Sequence, residues 1–227
     1  MNPDSRDPGM PADEAGIVRF ERPGICGFLH RPQGAAAHGL VLTHGAGGDC
    51  RSPLLVAAAA AFSAAGLLVL RCNLPFRQRR ATGPPSPATA AADRDGLRRA
   101  LVALRGLVPT PGRLFLGGLS YGGRQATILA VDEPAAAAAL LLFSYPLHPP
   151  GKPERLRTEH FPLLRRPAVF VHGTGDPFGS IDELRLALAL IPAPTELIPV
   201  AGAGHDLKRG RFDLGPVSAA LLRLAEP

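Results

Sequence analysis

Short apolar runs recur along the chain and alternate with longer segments rich in alanine and leucine. Gly39–Thr43 (GLVLT), Leu67–Cys72 (LLVLRC), Leu114–Leu119 (LFLGGL), Ala138–Ser144, Ala168–His172 and Glu196–Val200 read as strands. Most are apolar at nearly every position, as strands of a parallel sheet covered on both faces are. Ile17–Phe20 and Ile25–His30 read as two leading strands. The helical pattern falls on Pro53–Ala65, from near Ala88 to Leu107, Arg124–Val131, Ser180–Leu190 and Val217–Leu224. Ser52 stands where the first of these helices needs an N-cap, and Gly66 stands where it must stop. Between Cys72 and Ala88 the polar, proline-rich stretch RQRRATGPPSP predicts a long loop. The fold class that follows is α/β, a mostly parallel twisted sheet with helices on both faces.

A chain of 227 residues suits one such domain, expected over 17–227. Residues 1–16 (MNPDSRDPGMPADEAG) are polar and proline-rich, lack the apolar core of a secretory signal, and are expected to form a flexible tail. Leu54–Leu70 is nearly free of polar side chains, yet a bilayer needs about 20 apolar residues. Gly66 interrupts the run, so it reads as a buried helix turning into a strand. The segment 145–166 is too short for a large lid domain.

The net charge is +6 with 2 tyrosines and no tryptophan. The excess is scattered arginine without aromatics to stack on bases, so neither a nucleic-acid nor a membrane partner is expected. The three cysteines, Cys26, Cys50 and Cys72, include no C-x-x-C pair. That argues against a disulfide framework or a metal site and for a cytoplasmic location. No cofactor is expected.

The chemistry is concentrated in glycine-rich turns at strand ends. Gly118-Leu119-Ser120-Tyr121-Gly122 fits G-x-S-x-G between an apolar strand and a helix of small residues, the setting of a serine held on a sharp strand-to-helix bend. His44-Gly45-Ala46-Gly47-Gly48 follows the strand Gly39–Thr43 and lacks the G-K-[ST] ending of a phosphate loop. Its place suits an oxyanion-binding loop, with the backbone N–H of Ala46 (Gly47 is the alternative) joining that of Tyr121.

A serine hydroxyl needs a base and a group to orient that base. Where the nucleophile sits on such a bend, acid and histidine follow it in that order. Asp176 lies at the end of the strand Ala168–His172. Of 7 histidines, His205 alone follows Asp176. Asp206 is a rival acid, but as the neighbour of His205 it is poorly directed. His44 and His172 read as loop-holding residues. Phe76, Tyr121, Tyr145 and His148 lie on loops at the carboxyl edge of the sheet and are read either as pocket walls or as packing. Arg77, Arg79 and Arg80 either attract an anionic substrate there or form a plain surface loop.

The stretches LTHGAGGD, RCNLPFRQRR, GGLSYGGRQA, FSYPLHPPGKPERLRTEH, FVHGTGDPFGS and GAGHDLK occur in this order after residue 16. On them the chain resembles the small bacterial α/β-hydrolases of the dienelactone-hydrolase-like kind. The resemblance implies an α/β-hydrolase fold with Ser120, Asp176 and His205 as nucleophile, acid and base. Dienelactone hydrolases proper carry a cysteine nucleophile, so their substrate is not transferred to Ser120. The chain also resembles the hydrolase-like domain of a chromatin-complex subunit. Expected is a serine hydrolase of a small-molecule ester. Alternatives are a non-catalytic binding or scaffold module, and an acyltransferase or peptidase using the same triad.

Overall fold

The computed structural model describes residues 16–208 and 212–226; the expected tail, Gly16 apart, lies outside them. The strands are β1 (Ile17–Arg22), β2 (Ile25–His30), β3 (His38–Thr43), β4 (Leu67–Cys72), β5 (Leu114–Leu119), β6 (Ala139–Phe143), β7 (Ala168–Gly173) and β8 (Thr195–Val200). They join in one sheet in the order β1-β2-β4-β3-β5-β6-β7-β8. The leading hairpin is antiparallel and β2 joins β4 antiparallel, while every pairing from β4 through β8 is parallel.

The helices are α1 (Pro53–Ala64), α2 (Pro75–Arg79), α3 (Ala90–Arg105), α4 (Tyr121–Asp132), α5 (Ile181–Leu188) and α6 (Leu214–Leu224). Side chains alternate across the strands, which sorts the core into two layers. Leu40, Leu42, Phe115, Leu141, Phe143, Val169 and Val171 face α1 and α6. Val41, Leu116, Leu140, Leu142 and Phe170 face α3, α4 and α5. That double burial is why the central strands are apolar on both sides. Among the described residues no helix is long and apolar enough to cross a membrane.

Three local expectations need correction. The loop after Cys72 contains α2, whose Phe76 and Arg77 are buried. Helix α4 begins at Tyr121, directly after Ser120 and three residues before the expected Arg124. A Cβ on Gly122 would lie 2.5 Å from the His44 carbonyl oxygen, and one on Gly118 would lie 2.8 Å from the Gly122 carbonyl carbon. These glycines therefore let helix and strand approach. Ser52 stands at the N-cap of α1 without capping through its side chain, since its hydroxyl donates to the Asp49 carbonyl at 2.7 Å.

The segment 145–166 forms no lid domain. It is pinned by Tyr145, whose ring packs on Phe161 and Phe170 and whose hydroxyl donates to the Arg157 carbonyl at 2.8 Å.

Candidate active site

Ser120 occupies the bend between β5 and α4 with φ 51° and ψ −116°. That left-handed φ is costly for a residue with a Cβ, and such strain clusters at functional sites. The surroundings hold it in place. Its N–H donates to the Phe143 carbonyl at 2.9 Å, and its carbonyl accepts from Arg124 N–H at 3.0 Å.

His205, in the loop after β8, has Nε2 2.8 Å from Ser120 Oγ. Its Nδ1 lies 3.0 and 2.8 Å from the two carboxylate oxygens of Asp176. An ionised carboxylate only accepts, so Nδ1 carries the proton and Nε2 is left to accept from the serine hydroxyl. The structure thus brings together three side chains from three loops, with His205 between Ser120 and Asp176.

The acid and histidine loops are tied to each other. Gly175 N–H donates to the Ala203 carbonyl at 2.9 Å, and Gly202 N–H donates to Thr174 Oγ1 at 2.9 Å. A Cβ on Gly173 would lie 2.4 Å from the Ala203 carbonyl oxygen, so the strand end closes directly on the histidine loop. Phe178 N–H donates to Asp176 Oδ1 at 2.8 Å. The Phe178 ring stacks on His205 with centroids 4.0 Å apart. His172 is buried, and burial lowers its pKa. Its Nε2 lies 2.8 Å from the Gly179 carbonyl, which pins the far end of the acid loop.

The loop after β3 faces Ser120. The backbone N–H groups of Ala46 and Tyr121 have no hydrogen-bond partner among the described residues, and both residues line the cleft around Ser120. Two side chains hold that loop. His44 Nε2 accepts Leu74 N–H at 3.0 Å, which leaves the proton on Nδ1 to donate to the Gly45 carbonyl at 2.8 Å. Burial pushes the pKa of His44 down to about 4, so the ring is neutral. Arg77 donates to the carbonyls of Gly48 at 2.9 Å and Ala46 at 2.8 Å on one side, and to those of Arg80 at 3.2 Å and Gly83 at 3.1 Å on the other.

Asp93 fixes the nucleophile side. Fully buried, it accepts from Tyr121 Oη at 2.8 Å and from Phe76 N–H at 2.9 Å.

The cleft over Ser120 encloses about 680 Å³. Leu119, Phe178 and the prolines 84, 85 and 87 give it apolar walls, and Arg124, Gln125 and Arg157 give it polar ones. Of the expected walls, Tyr121 lines it. Phe76, Tyr145 and His148 do not. All three are buried: Phe76 packs edge-on against Tyr121 and beside His44, Tyr145 sits among phenylalanines, and His148 Nδ1 lies 2.8 Å from the Pro149 carbonyl. Asp206 is exposed, its carboxylate 3.4 Å from the Lys208 ammonium. Arg79 and Arg80 are exposed, but Arg77 is not. Among the described residues no group of three or more side chains is arranged to hold a metal ion.

A mostly parallel sheet with a serine on the bend after β5, and with acid and histidine on the loops after β7 and β8, defines the α/β-hydrolase class. Residues 36–215 match the family described as "Alpha/beta hydrolase domain", and the chain belongs to that family. Solved structures agree on the fold. Dienelactone hydrolase from Anabaena variabilis is similar with a TM-score of 0.65 and 21% identity, over 86% of this chain and 88% of that one. An α/β serine hydrolase without a lid from Xanthomonas campestris is similar with a TM-score of 0.69 and 19% identity, over 96% of each. An α/β serine hydrolase homologue from Coxiella burnetii is similar with a TM-score of 0.66 and 20% identity, over 94% and 99%.

Proposed function

We propose that the protein hydrolyses small carboxylic esters through an acyl-enzyme on Ser120. The observation that carries this reading is the 2.8 Å approach of His205 Nε2 to Ser120 Oγ while Nδ1 of the same ring is held by Asp176. His205 removes the hydroxyl proton as Oγ attacks the ester carbonyl. The N–H groups of Ala46 and Tyr121 receive the oxyanion. The protonated imidazole then gives its proton to the departing alcohol, and water, activated by the same base, releases the acid and restores Ser120. Asp176 keeps the ring oriented and offsets its charge.

A fluorophosphonate probe tests the proposal, with mass mapping of the adduct and aryl acetate turnover beside it. Expected is a single adduct on Ser120, absent from Ser120→Ala, together with turnover. Folded protein that carries no adduct and cleaves no ester would reject the reading.

A further inference from the structure

One wall of the cleft carries positive charge and buried hydrogen-bond donors that lack acceptors among the described residues. Arg124 and Arg157 both line it. The Arg124 side chain has no hydrogen bond or ion pair among the described residues, and its Nε is buried without an acceptor. The Arg157 guanidinium donates one long 3.4 Å bond, to the Pro146 carbonyl. Burial and, after it, the neighbouring Arg124 guanidinium lower its pKa.

Gln125 adds a separate observation. It is fully buried and lines the same cleft. Its Oε1 accepts from Arg94 Nη1 at 3.1 Å, which fixes the amide orientation and leaves Nε2 as a donor that has no partner.

Buried donors without acceptors are costly, and the repulsion between the two guanidinium groups acts on Arg157 more strongly than the attraction of the Glu159 carboxylate. Arg124 lies in the first turn of α4, its N–H bonded to the Ser120 carbonyl at 3.0 Å, and both residues line the same cleft. The prolines and Leu119 form the apolar part of the cleft.

Resting on the hydrolase reading above, we infer that the substrate is an ester with a short apolar chain ending in a carboxylate, which Arg124 and Arg157 bind with Gln125 Nε2. The carboxylate accepts the stranded donors and separates the two like charges. The ester carbonyl then lies over Ser120.

The test compares monoethyl adipate with ethyl hexanoate, a neutral ester of the same chain length, by acid release at constant pH. The half-ester is expected to have at least about tenfold higher kcat/KM. Arg124→Gln and Arg157→Gln should each lower that ratio by about fivefold or more. A ratio near one in an enzyme that cleaves both esters would overturn the inference and leave the hydrolase intact. Calorimetry of adipate with Ser120→Ala decides the subsite without catalysis: saturable binding lost in Ser120→Ala/Arg124→Gln supports it. No heat up to about 10 mM adipate, or equal binding by both proteins, rejects it. If no ester is cleaved and no probe reacts, the hydrolase reading fails while this measurement still judges the subsite.

Discussion

Arg77 Nη2 donates to the carbonyl of Ala46 at 2.8 Å, across 31 positions of sequence. The same guanidinium holds Gly48 and Gly83, so one buried cation fastens the loop that faces Ser120 to the proline-rich segment across the cleft. Its fork of donors makes this possible; an ammonium could not serve four carbonyls in one plane.

Arg77→Ala should therefore lower stability by about 2–3 kcal/mol, since it leaves buried carbonyls unpaired. It should also lower kcat/KM for an aryl acetate at least tenfold in protein that is still folded at assay temperature. Arg77→Lys should recover stability better than activity, because the charge returns without the fork. Urea unfolding measured beside steady-state kinetics separates the two effects. A variant with lost stability and unchanged kinetics would remove Arg77 from the positioning of the loop.

Asp176 and Asp206 flank the same histidine differently. Asp176 is buried with both oxygens on His205 Nδ1, whereas Asp206 is exposed and turned to Lys208. Asp176→Asn should cost about 10³–10⁴ in kcat, because the amide no longer selects the ring tautomer that leaves Nε2 free. Asp206→Asn should change kcat by less than about threefold, as surface charges commonly do. Equal losses in the two variants would contradict the assignment of the acid.

The meeting of Ser120, His205 and Asp176 was legible because its signals are local. The glycine spacing around Ser120 reflects a helix packed on a strand, and chain order leaves one histidine after Asp176. The walls of the cleft were not legible, because they depend on which loop residues turn inward. Phe76, Tyr145 and His148 sit on the expected edge and point into the core. Arg77 lies in a run of four polar side chains, Arg77 to Arg80, and nothing in its neighbours marks it as the buried one. Asp93 looks like an ordinary first-turn acid of α3 until Tyr121 and Phe76 are found on it. Arg124 and Arg157 come from segments 33 residues apart, and only the fold brings them to one wall.

Burial also sets the response to acid. It pushes His30, His44 and His160 down to about 4, with the guanidinium groups of Arg71, Arg77 and Arg124 acting in the same direction. Because these folded values lie below the unfolded value near 6.5, the unfolded chain binds protons first as pH falls. The stability they contribute is complete above about pH 6.5 and is lost on the way to pH 4, at up to about 1.4 kcal/mol per pH unit for each ring. The urea midpoint should therefore drop between pH 7 and pH 5. The slope should be shallower in His44→Gln, which keeps a polar side chain but cannot titrate. An unchanged slope in that variant would mean His44 takes up its proton with the fold intact.

At Gly122 the helix that follows the Ser120 bend packs directly on the end of β3. An added Cβ would lie 2.5 Å from the His44 carbonyl oxygen and 2.6 Å from Thr43 Cγ2. Neither neighbour can yield easily: Thr43 Oγ1 donates to the Cys72 carbonyl at 3.0 Å, and His44 is held at both ring nitrogens. Gly122→Ala should then separate α4 from β3, costing about 1–3 kcal/mol of stability and displacing Tyr121 N–H from Ala46 N–H. Gly47→Ala is the control. A Cβ there meets nothing within 4 Å, so its unfolding free energy in urea should stay within about 0.5 kcal/mol of the parent. The decisive number is kcat/KM of Gly122→Ala under conditions where it is fully folded. A loss of about tenfold or more is expected, since a donor moved by a fraction of an ångström no longer meets the developing charge. Full activity in folded Gly122→Ala would mean the two N–H groups are not held together by this contact.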